Sequence, residues 1–451
     1  MTTTGSSRVK NRWLVVLGAV LVQLCLGAIY AWSVFTPYLT DPAGPFGFTR
    51  TQTQIIFSIS LLSFAITMIL AGRWQARSGP YIVALTGGIV MGAGYALAGL
   101  MGNNLFGYFW NQVLFIGLLS GIGIGLAYVC PIACGMKWFP DKKGLITGLA
   151  VAGFGFGALI WIQLAGDFGG LLARFGVLNV FLIYGITFAV AIAIGTTWLV
   201  NPPEGYCPPG WDPNCPIPGA PTSPTRSGPG IRAGEMLRTP QFYGIWVMFL
   251  FAAMAGLLVI GNIVLFGIDA LQAEGYTLAE ATAIAGLAMA VFYALANGGG
   301  RIAWGAISDR IGRKTSLIIM CATQGLIMIA FFWMGSVPAL LYLGTTIIGF
   351  NYGGAFALFP TITGDLFGTE YVGENYGWVF TSYGVGGVIG PIMAAGIRDS
   401  LGNWLAGFII AGVACLVAAV IGWRLQPPRE VTEATSATSA TSLTSAPDRS
   451  R

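Results

Sequence analysis

Charge is scarce in this chain of 451 residues, since Asp, Glu, Lys and Arg make up only 9% of it. A water-soluble domain carries about a quarter of such residues. Histidine, the commonest acid–base group and metal ligand at neutral pH, is absent altogether. With 55% of its residues hydrophobic, the chain has too few polar groups to cover a soluble surface of its size. These shortages exclude an ordinary cytosolic enzyme and indicate that lipid surrounds most of the chain.

Cysteine is sparse and scattered. Five of the seven cysteines lie in apolar segments, where a free thiol behaves as a small hydrophobic group. The other two, Cys207 and Cys215, lie in a proline-rich stretch that we expect to be cytoplasmic. Reduced, inert thiols are the simpler interpretation of this pair, and a redox or metal-binding role is the alternative.

The sequence contains long apolar segments in which charged residues are rare. A helix needs about 20 apolar residues to cross the hydrocarbon core of a membrane, and twelve segments meet this requirement. The predicted spans are residues 13–38, 53–72, 80–101, 108–136, 145–167, 176–200, 241–268, 281–306, 315–334, 338–360, 376–397 and 404–424. The sequence therefore predicts an all-α membrane protein with twelve transmembrane helices.

The basic residues predict how these spans are oriented. Of the 22 Lys and Arg residues, 18 fall in one set of loops and tails, three in the opposite set, and Arg301 falls inside a span. Cytoplasmic loops carry the excess of Lys and Arg. We therefore expect a multi-pass protein of the inner (plasma) membrane with both termini in the cytoplasm, and the net charge of +5 requires no nucleic-acid partner.

Two segments interrupt the succession of apolar runs. Residues 201–239 are rich in Pro, Gly and Ser and are typical of a linker. The last residues form a low-complexity tail that we expect to be disordered. The predicted domains are an N-terminal six-helix bundle (1–200), a cytoplasmic linker (201–239), a C-terminal six-helix bundle (240–425) and a cytoplasmic tail (426–451).

The two halves are copies of each other. One constant shift along the sequence, which pairs Gly148 with Gly377, aligns seven glycines and prolines of the fourth and fifth spans with the tenth and eleventh. We call it the first repeat shift. A second repeat shift pairs Gly72 with Gly305, after the second and eighth spans. Two parallel copies of six spans are typical of secondary transporters in which one half rocks against the other around a central site.

The loop after the eighth span carries a recognisable pattern, GAISDRIGRK. It resembles the loop signature of the major facilitator superfamily, and the resemblance implies twelve helices in two pseudo-symmetric halves. An Asp beside a basic turn can form a charge latch that breaks as the halves rock, although plain positive-inside charge would also explain the basic residues. The first copy of the loop has Ala76 where the acid would stand. The predicted latch residues are Gly305, Asp309, Arg310, Gly312 and Arg313.

Several longer stretches resemble the oxalate:formate antiporter family, the bacterial relatives of the monocarboxylate transporters. The resemblance covers nearly the whole membrane region, and the KWFPDKKG turn is its most specific part. The stretches are Ala28–Phe35, Gly125–Gly148, Asn297–Arg301, Asn351–Pro360 and Asn375–Gly384. The linker and the tail lie outside the resemblance.

Arg301 is the residue with most chemical content, because a guanidinium inside a span is costly and usually faces a cavity. It lies eight residues before Asp309, about 12 Å of helix, and its side chain leans toward the middle of the membrane. A planar fork of donors suits a carboxylate, and the resemblance implies this role. The alternative is an arginine that extends to the cytoplasmic headgroups. Three glycines before Arg301 leave room beside it, or serve helix packing.

Aromatic residues supply most of the other candidate substrate-binding positions. Individually, each is better explained by membrane packing than by ligand contact. As a set they suggest a dry cage for small flat ions, because Phe154 and Tyr383 occupy the same position in the two halves. The candidates are Tyr30, Tyr128, Phe154, Tyr352, Phe356 and Tyr383, together with Asn297 next to the arginine.

Two departures from the family pattern bear on substrate and coupling. Oxalate carriers of the family have a lysine where this chain has Tyr383, so a single buried cation favours a monocarboxylate such as formate, acetate, lactate or pyruvate. Animal monocarboxylate transporters have an Asp as proton relay where this chain has Asn297. All 17 acids fall at or beyond the ends of the predicted spans, so no buried carboxylate is expected. Anion exchange, or entry of a proton on the substrate, stays open.

The predicted function is secondary active transport of a small carboxylate by alternating access, without cofactor or metal. The expected partners are the carboxylate and the lipid bilayer, the chain is expected to be a monomer, and no nucleic acid is expected. Oxalate:formate exchange and a carboxylate sensor with a transporter fold are the alternatives. The sequence lacks the catalytic residues that a membrane-embedded enzyme would need. A channel is disfavoured because two pseudo-symmetric halves around one charge are typical of alternating access.

Overall fold

The computed structural model describes residues 11–166, 169–203, 206–208 and 230–426. Cys215, most of the predicted linker and the predicted tail lie outside these residues. Cys207 is exposed and the five cysteines of the apolar segments are buried. Throughout the described residues the regular secondary structure is helical.

Twelve long helices correspond one to one with the predicted spans. They are α1 (Arg12–Leu26, continued by Gly27–Ala31 and Trp32–Thr40), α2 (Arg50–Ser78), α3 (Pro80–Met101), α4 (Tyr108–Trp138), α5 (Lys143–Ala165), α6 (Leu171–Thr196), α7 (Pro240–Ala273), α8 (Leu278–Ile311), α9 (Arg313–Met334), α10 (Pro338–Phe367), α11 (Val372–Leu401) and α12 (Leu405–Arg424). A short helix, Ala233–Met236, precedes α7.

Four of these helices depart from regular α geometry, among them α6, which is kinked at Gly176 with a φ of +73°. The middle of α1 tightens into a 3₁₀ turn at Gly27–Ala31, and a Cβ on Gly27 would overlap the carbonyl of Phe154 on α5. The helices α4 and α8 contain π-helical stretches at Val113–Ser120 and Ala288–Tyr293. Such local changes of register often occur at functional sites.

Within the described part of the chain, eleven of the twelve helices are long and apolar enough to cross a membrane. The exception, α10, contains the buried polar residues Asn351, Thr361, Thr363 and Asp365. A helix enclosed by other helices does not need an apolar surface all round, because protein rather than lipid covers its polar side chains. The predicted all-α membrane fold with twelve helices is confirmed.

The two halves meet at two equivalent helix crossings. At the α5–α8 crossing, a Cβ on Gly144 would overlap the carbonyl of Gly305, and one on Gly148 would overlap that of Arg301. We call this the charged crossing. At the α2–α11 crossing the corresponding contacts join Gly373 to Gly72 and Gly377 to Met68. We call this the apolar crossing, and the two repeat shifts convert the contacts of one crossing into those of the other.

Both crossings lie toward the end of the bundle that holds the α2–α3, α4–α5 and α8–α9 loops. We call it the basic end, since most of the loop Lys and Arg residues are predicted there. The glycines bring the backbones of the two halves into direct contact, so the bundle is closed between the centre and this end. The geometry positions the residues of both halves around one central region.

Candidate functional site

The central feature of the site is the buried guanidinium of Arg301 on α8, whose residue is 0% exposed. Nε donates to the Oδ1 atom of Asn297 at 3.0 Å, and Nη1 donates to the carbonyl of Val151 on α5, also at 3.0 Å. Nη2 has no hydrogen-bond partner, and no carboxylate pairs with this arginine among the described residues. An unpaired buried charge is unfavourable by several kcal/mol, so an anion next to this guanidinium would be stabilising.

Two of the predicted aromatic residues enclose the guanidinium. Its Cζ atom lies 4.3 Å from the ring centre of Phe356 on α10 and 5.4 Å from that of Phe154 on α5. A cation above a ring face is attracted to it, more strongly where water is excluded. The rings therefore orient the arginine without neutralising its charge.

Three predicted tyrosines connect the halves beside these rings. The Tyr30 hydroxyl lies 2.6 Å from that of Tyr383 and 3.1 Å from that of Tyr352. Tyr30 belongs to α1, whereas its partners belong to α11 and α10. Close packing supports the arrangement, because a Cβ on Gly256 of α7 would collide with the Tyr352 ring. These hydrogen bonds link the two halves at the centre of the bundle.

Tyr128 on α4 completes the set predicted from the sequence. Its ring centre lies 5.4 Å from that of Phe154, and Phe154 in turn lies 5.1 Å from Tyr30. The Tyr128 hydroxyl is buried, with the Arg301 guanidinium and the Tyr376 hydroxyl as its neighbouring polar groups. The structure thus brings the other seven predicted substrate-binding residues together around Arg301.

Four further aromatic residues of the site were not predicted. Phe64 and Phe380 pack against the cage rings, with their own centres 5.0 Å apart. Tyr293, at the end of the α8 π-helical stretch, donates to the Gly256 carbonyl at 3.4 Å. Tyr376 is fully buried, with its hydroxyl next to that of Tyr128. Helical spacing offered a signal for Tyr376, which lies two turns before Tyr383 on the same helix face.

At the basic end, the Asp309 carboxylate reaches from α8 to the other half. It accepts hydrogen bonds from the backbone N–H groups of Gly144 at 3.0 Å and Leu145 at 2.8 Å, in the first turn of α5. A carboxylate is favourable there because it satisfies free N–H groups and faces the positive end of the helix dipole. Arg313 pairs with the same carboxylate at 2.5 Å. The acid predicted to connect neighbouring helices therefore connects the two halves.

The other predicted latch residues shape this contact to different extents. Gly305 permits the close approach to Gly144, and Gly312 has a φ of +89° in the turn between α8 and α9, a conformation that favours glycine. Arg313 also donates to the Ser308 hydroxyl at 2.6 Å. Arg310 is exposed, and it takes part in none of the ion pairs found in the described structure.

A buried ion pair next to Asp309 was not predicted. The Lys143 ammonium of α5 lies 3.3 Å from Asp365 of α10, which also lies 3.3 Å from the Nε atom of Arg313. We call Asp309, Arg313, Lys143 and Asp365 the latch. The expectation that no carboxylate is buried was wrong for Asp365, because α10 continues to Phe367 instead of ending at residue 360. Asp365 lies thirteen residues beyond Tyr352, about 20 Å of helix, so it does not contact Arg301.

The apolar crossing has a much weaker counterpart of this network. Ala76 occupies the place of Asp309, and the ion pair at this position joins Arg73 to Glu374 at 2.9 Å. The Arg73 side chain is 47% exposed, whereas that of Lys143 is 8% exposed. Only the charged crossing therefore has its ionic contacts shielded from solvent.

Comparison with known proteins identifies the family. The model of the Major Facilitator Superfamily matches residues 21–391, with a second match over 279–447. The chain belongs to the major facilitator superfamily. As a member of it, the chain is a multi-pass membrane transporter, and the alternative of a membrane-embedded enzyme is set aside.

Individual members of the superfamily resemble the chain over most of its length. The oxalate:formate antiporter of Oxalobacter formigenes is 26% identical over 90% of this chain and 90% of its own. Apicoplast pyruvate carrier 1 of Toxoplasma gondii is also 26% identical, over 83% of this chain and 82% of its own. The proton:xylose symporter XylE superposes with a TM-score of 0.63 at 13% identity, covering 92% of this chain and 96% of that one. That likeness concerns the fold alone.

Proposed function

We propose that this protein is a secondary active transporter of small carboxylate anions that works by alternating access, with a monocarboxylate such as formate, acetate, lactate or pyruvate as substrate. The observation that carries the proposal is the state of Arg301. Its guanidinium is fully buried, lacks a carboxylate partner among the described residues, and has one unused nitrogen. A bound anion supplies the charge and the acceptor that the folded protein does not.

The donors around the unused nitrogen favour a carboxylate. The Tyr128 hydroxyl is buried beside the guanidinium, within reach of the Arg301 charge. A carboxylate has two oxygens that accept from a guanidinium and from neighbouring hydroxyls at the same time. The surrounding rings exclude water, which strengthens the attraction between the arginine and the anion.

The count of charges favours a monoanion. Position 383 is a tyrosine whose hydroxyl is already bonded to Tyr30. The next cation along α5 is Lys143, eight residues before Val151 and thus about 12 Å along the helix. A dianion at Arg301 would leave one charge unpaired among aromatic rings, which is unfavourable by several kcal/mol. The similarity to the Oxalobacter formigenes oxalate:formate antiporter supports oxalate:formate exchange as the second candidate.

Alternating access follows from contacts that differ between the centre and the basic end. At the centre, the Tyr30 hydroxyl bonds residues of the other half, so a substrate held by Arg301 and these tyrosines contacts both halves. At the basic end, the latch and the glycine contacts close the route. We infer that these contacts break when the route opens to that side, and that the opposite side closes in the same movement.

The position in the membrane belongs to the same proposal. The basic loops support an inner-membrane protein with both termini in the cytoplasm. The division into bundles at 1–200 and 240–425, joined by the linker 201–239 and followed by the tail 426–451, rests on the same sequence pattern. The basic end would then be the cytoplasmic end.

Counterflow in proteoliposomes tests the proposed function. Vesicles containing the purified protein are loaded with unlabelled formate, acetate, lactate or pyruvate, and uptake of the same labelled anion is followed. A carrier accelerates uptake of label over empty vesicles, whereas a sensor does not. Failure of all four anions, and of oxalate, to drive counterflow would overturn the proposal.

A further inference from the structure

We propose that the route from Arg301 to the basic end contains a second anion station, formed by the hydroxyls of Thr147 and Tyr376 and the ammonium of Lys143. The inference rests on the proposed function, since it concerns the passage of the same carboxylate. In the closed state Asp365 pairs with the Lys143 ammonium, and the transported anion replaces Asp365 when the latch opens.

The first observation is that two fully buried hydroxyls are left incompletely hydrogen-bonded. Thr147 on α5 is 1% exposed and Tyr376 on α11 is 0% exposed. The Thr147 hydroxyl makes no hydrogen bond among the described residues, and the Tyr376 hydroxyl has only the Tyr128 hydroxyl beside it. A buried threonine in a helix usually donates to the carbonyl one turn earlier, as Thr363 does to Phe359. Leaving such a group without an acceptor is unfavourable, because it has lost its hydrogen bonds to water. Both hydroxyls are therefore available to an acceptor that the folded chain does not provide.

The second observation is that these two residues are equivalent in the internal repeat. Thr147 corresponds to Tyr376 under the first repeat shift, as Phe154 corresponds to Tyr383. Thr147 lies seven residues nearer to the basic end than Phe154 does, about 10 Å of helix. Tyr376 lies at the same distance from Tyr383. Seven residues are close to two full turns, so Thr147 lies on the α5 face of Phe154, and Tyr376 on the α11 face of Tyr383. Thr147 thus lies between the central cage and the latch, and the Tyr376 hydroxyl lies at the edge of the cage, next to Tyr128.

The third observation concerns Lys143, one turn before Thr147 on the same face of α5. Its side chain is 8% exposed and pairs across the halves with Asp365 at 3.3 Å. When the halves separate at the basic end, Asp365 keeps Arg313, which belongs to its own half. Among the cations of the latch, Lys143 is the one that loses its counterion. A cation that has just lost its partner next to the route is a binding group for a departing carboxylate.

The station has a defined effect on transport. An anion that leaves Arg301 for the basic end would otherwise cross an aromatic passage without a counter-charge, which raises the barrier for release and for entry from that side. Hydroxyl donors followed by an ammonium divide this passage into shorter steps. The station therefore governs the rate of exchange, while affinity at Arg301 is set by the central cage.

Charge variants separate a station from a simple latch. Lys143→Gln, Asp365→Asn and the double variant are reconstituted, and counterflow of labelled formate and lactate is measured. A station predicts that Lys143→Gln slows exchange about tenfold. Asp365→Asn then slows it far less, and the double variant behaves as Lys143→Gln does. If Lys143 served only to pair with Asp365, all three variants would be slowed equally, and that result would overturn the station.

Isosteric variants provide a second measurement that does not depend on breaking an ion pair. Thr147→Val and Tyr376→Phe remove only incompletely hydrogen-bonded hydroxyls, so thermal stability should be kept or raised, while exchange falls several-fold. The matched control is Tyr184→Phe, since the Tyr184 hydroxyl donates to the Trp161 carbonyl at 2.6 Å. This control should lose stability and keep its exchange rate.

The outcomes distinguish the station from the proposed function. Exchange by the wild type, together with wild-type rates for Thr147→Val and Tyr376→Phe, would overturn the station alone. Absence of formate and lactate exchange in the wild type, with no stabilisation by either anion, would overturn the station and its premise together.

Discussion

The charged crossing and the apolar crossing share one backbone geometry and differ in the side chains placed on it. At equivalent positions of the repeat, Arg301 of the charged crossing corresponds to Met68 of the apolar crossing, and Asp309 corresponds to Ala76. The glycine contacts that hold each pair of helices together are the same in both. The comparison teaches that duplicated glycines maintain the scaffold, while the chemistry is concentrated in one copy. Among the described residues, Arg301 is therefore the one buried cation at the centre of the bundle without a carboxylate partner.

The ionic contacts of the two crossings differ in the same direction. The Arg73–Glu374 pair is partly exposed, and such pairs contribute about 0–1 kcal/mol. In the latch, Lys143 and Asp365 have side chains 8% and 11% exposed. Breaking a buried pair by removal of one partner costs about 3–5 kcal/mol. Closure of the basic end should therefore depend far more on the charged crossing.

The largest effect is expected from Arg301→Lys. The variant keeps the charge and loses the planar fork that binds Asn297, Val151 and the proposed carboxylate, so exchange should fall by about two orders of magnitude. Met68→Leu, at the equivalent position of the apolar crossing, is the matched control and should transport normally. Counterflow of formate and lactate measures both. Near-normal exchange by Arg301→Lys at normal expression would contradict the proposal that Arg301 binds the substrate carboxylate.

A smaller effect is expected from Asp309→Asn. The neutral amide accepts weakly at the first turn of α5 and no longer pairs with Arg313, so the closed state loses stability. The maximal exchange rate should fall about tenfold, with the substrate concentration for half-maximal rate within about twofold of wild type. Initial rates over a range of substrate concentrations separate the two quantities. An unchanged maximal rate with much weaker apparent affinity would contradict a role in rocking.

Tyr383→Lys sharpens the comparison by giving the second copy a cation. Its ammonium would replace a hydroxyl next to Tyr30 and bring a second positive charge near Arg301. Inhibition by oxalate of labelled-formate uptake should then strengthen several-fold relative to inhibition by lactate. Strong inhibition of the wild type by oxalate, equal to that by monocarboxylates, would show that one cation suffices for a dianion.

The smallest effect is expected at the apolar crossing. Glu374→Gln breaks the half-exposed pair with Arg73, and exchange should stay within about twofold of wild type. The measurement is made beside Asp309→Asn under the same conditions. Equal loss of rate in the two variants would mean that both crossings latch the basic end.

The sequence was sufficient for the fold and for the centre of the site, for identifiable reasons. Twelve apolar runs marked the helices, and Arg301 was conspicuous as a charge inside a span. The repeat led to Phe154 and Tyr383, and the structure brings both to the cage. Hydropathy placed the end of α10 at residue 360, because it cannot register that Thr361 and Asp365 are covered by other helices.

The parts of the site that the sequence did not reveal depend on contacts between distant residues. Lys143 and Asp365 are 222 residues apart, and no spacing within one helix connects them. Tyr293 resembles any tyrosine of a membrane helix until the packing shows which face it occupies, whereas Tyr376 could have been found from its two-turn spacing to Tyr383. Phe64 corresponds to Asn297 in the repeat, so the residue type gave no sign of the shared position.

Equilibrium binding tests most directly the claim that Arg301 is the anchor of a monocarboxylate site. Thermal unfolding of the purified protein is followed with increasing formate, lactate and oxalate, in the wild type, Arg301→Gln and Met68→Leu. A ligand that binds only the folded state raises the unfolding temperature. Formate or lactate should stabilise the wild type and Met68→Leu more than oxalate does, and should leave Arg301→Gln unchanged. Equal stabilisation of Arg301→Gln and the wild type would contradict the account.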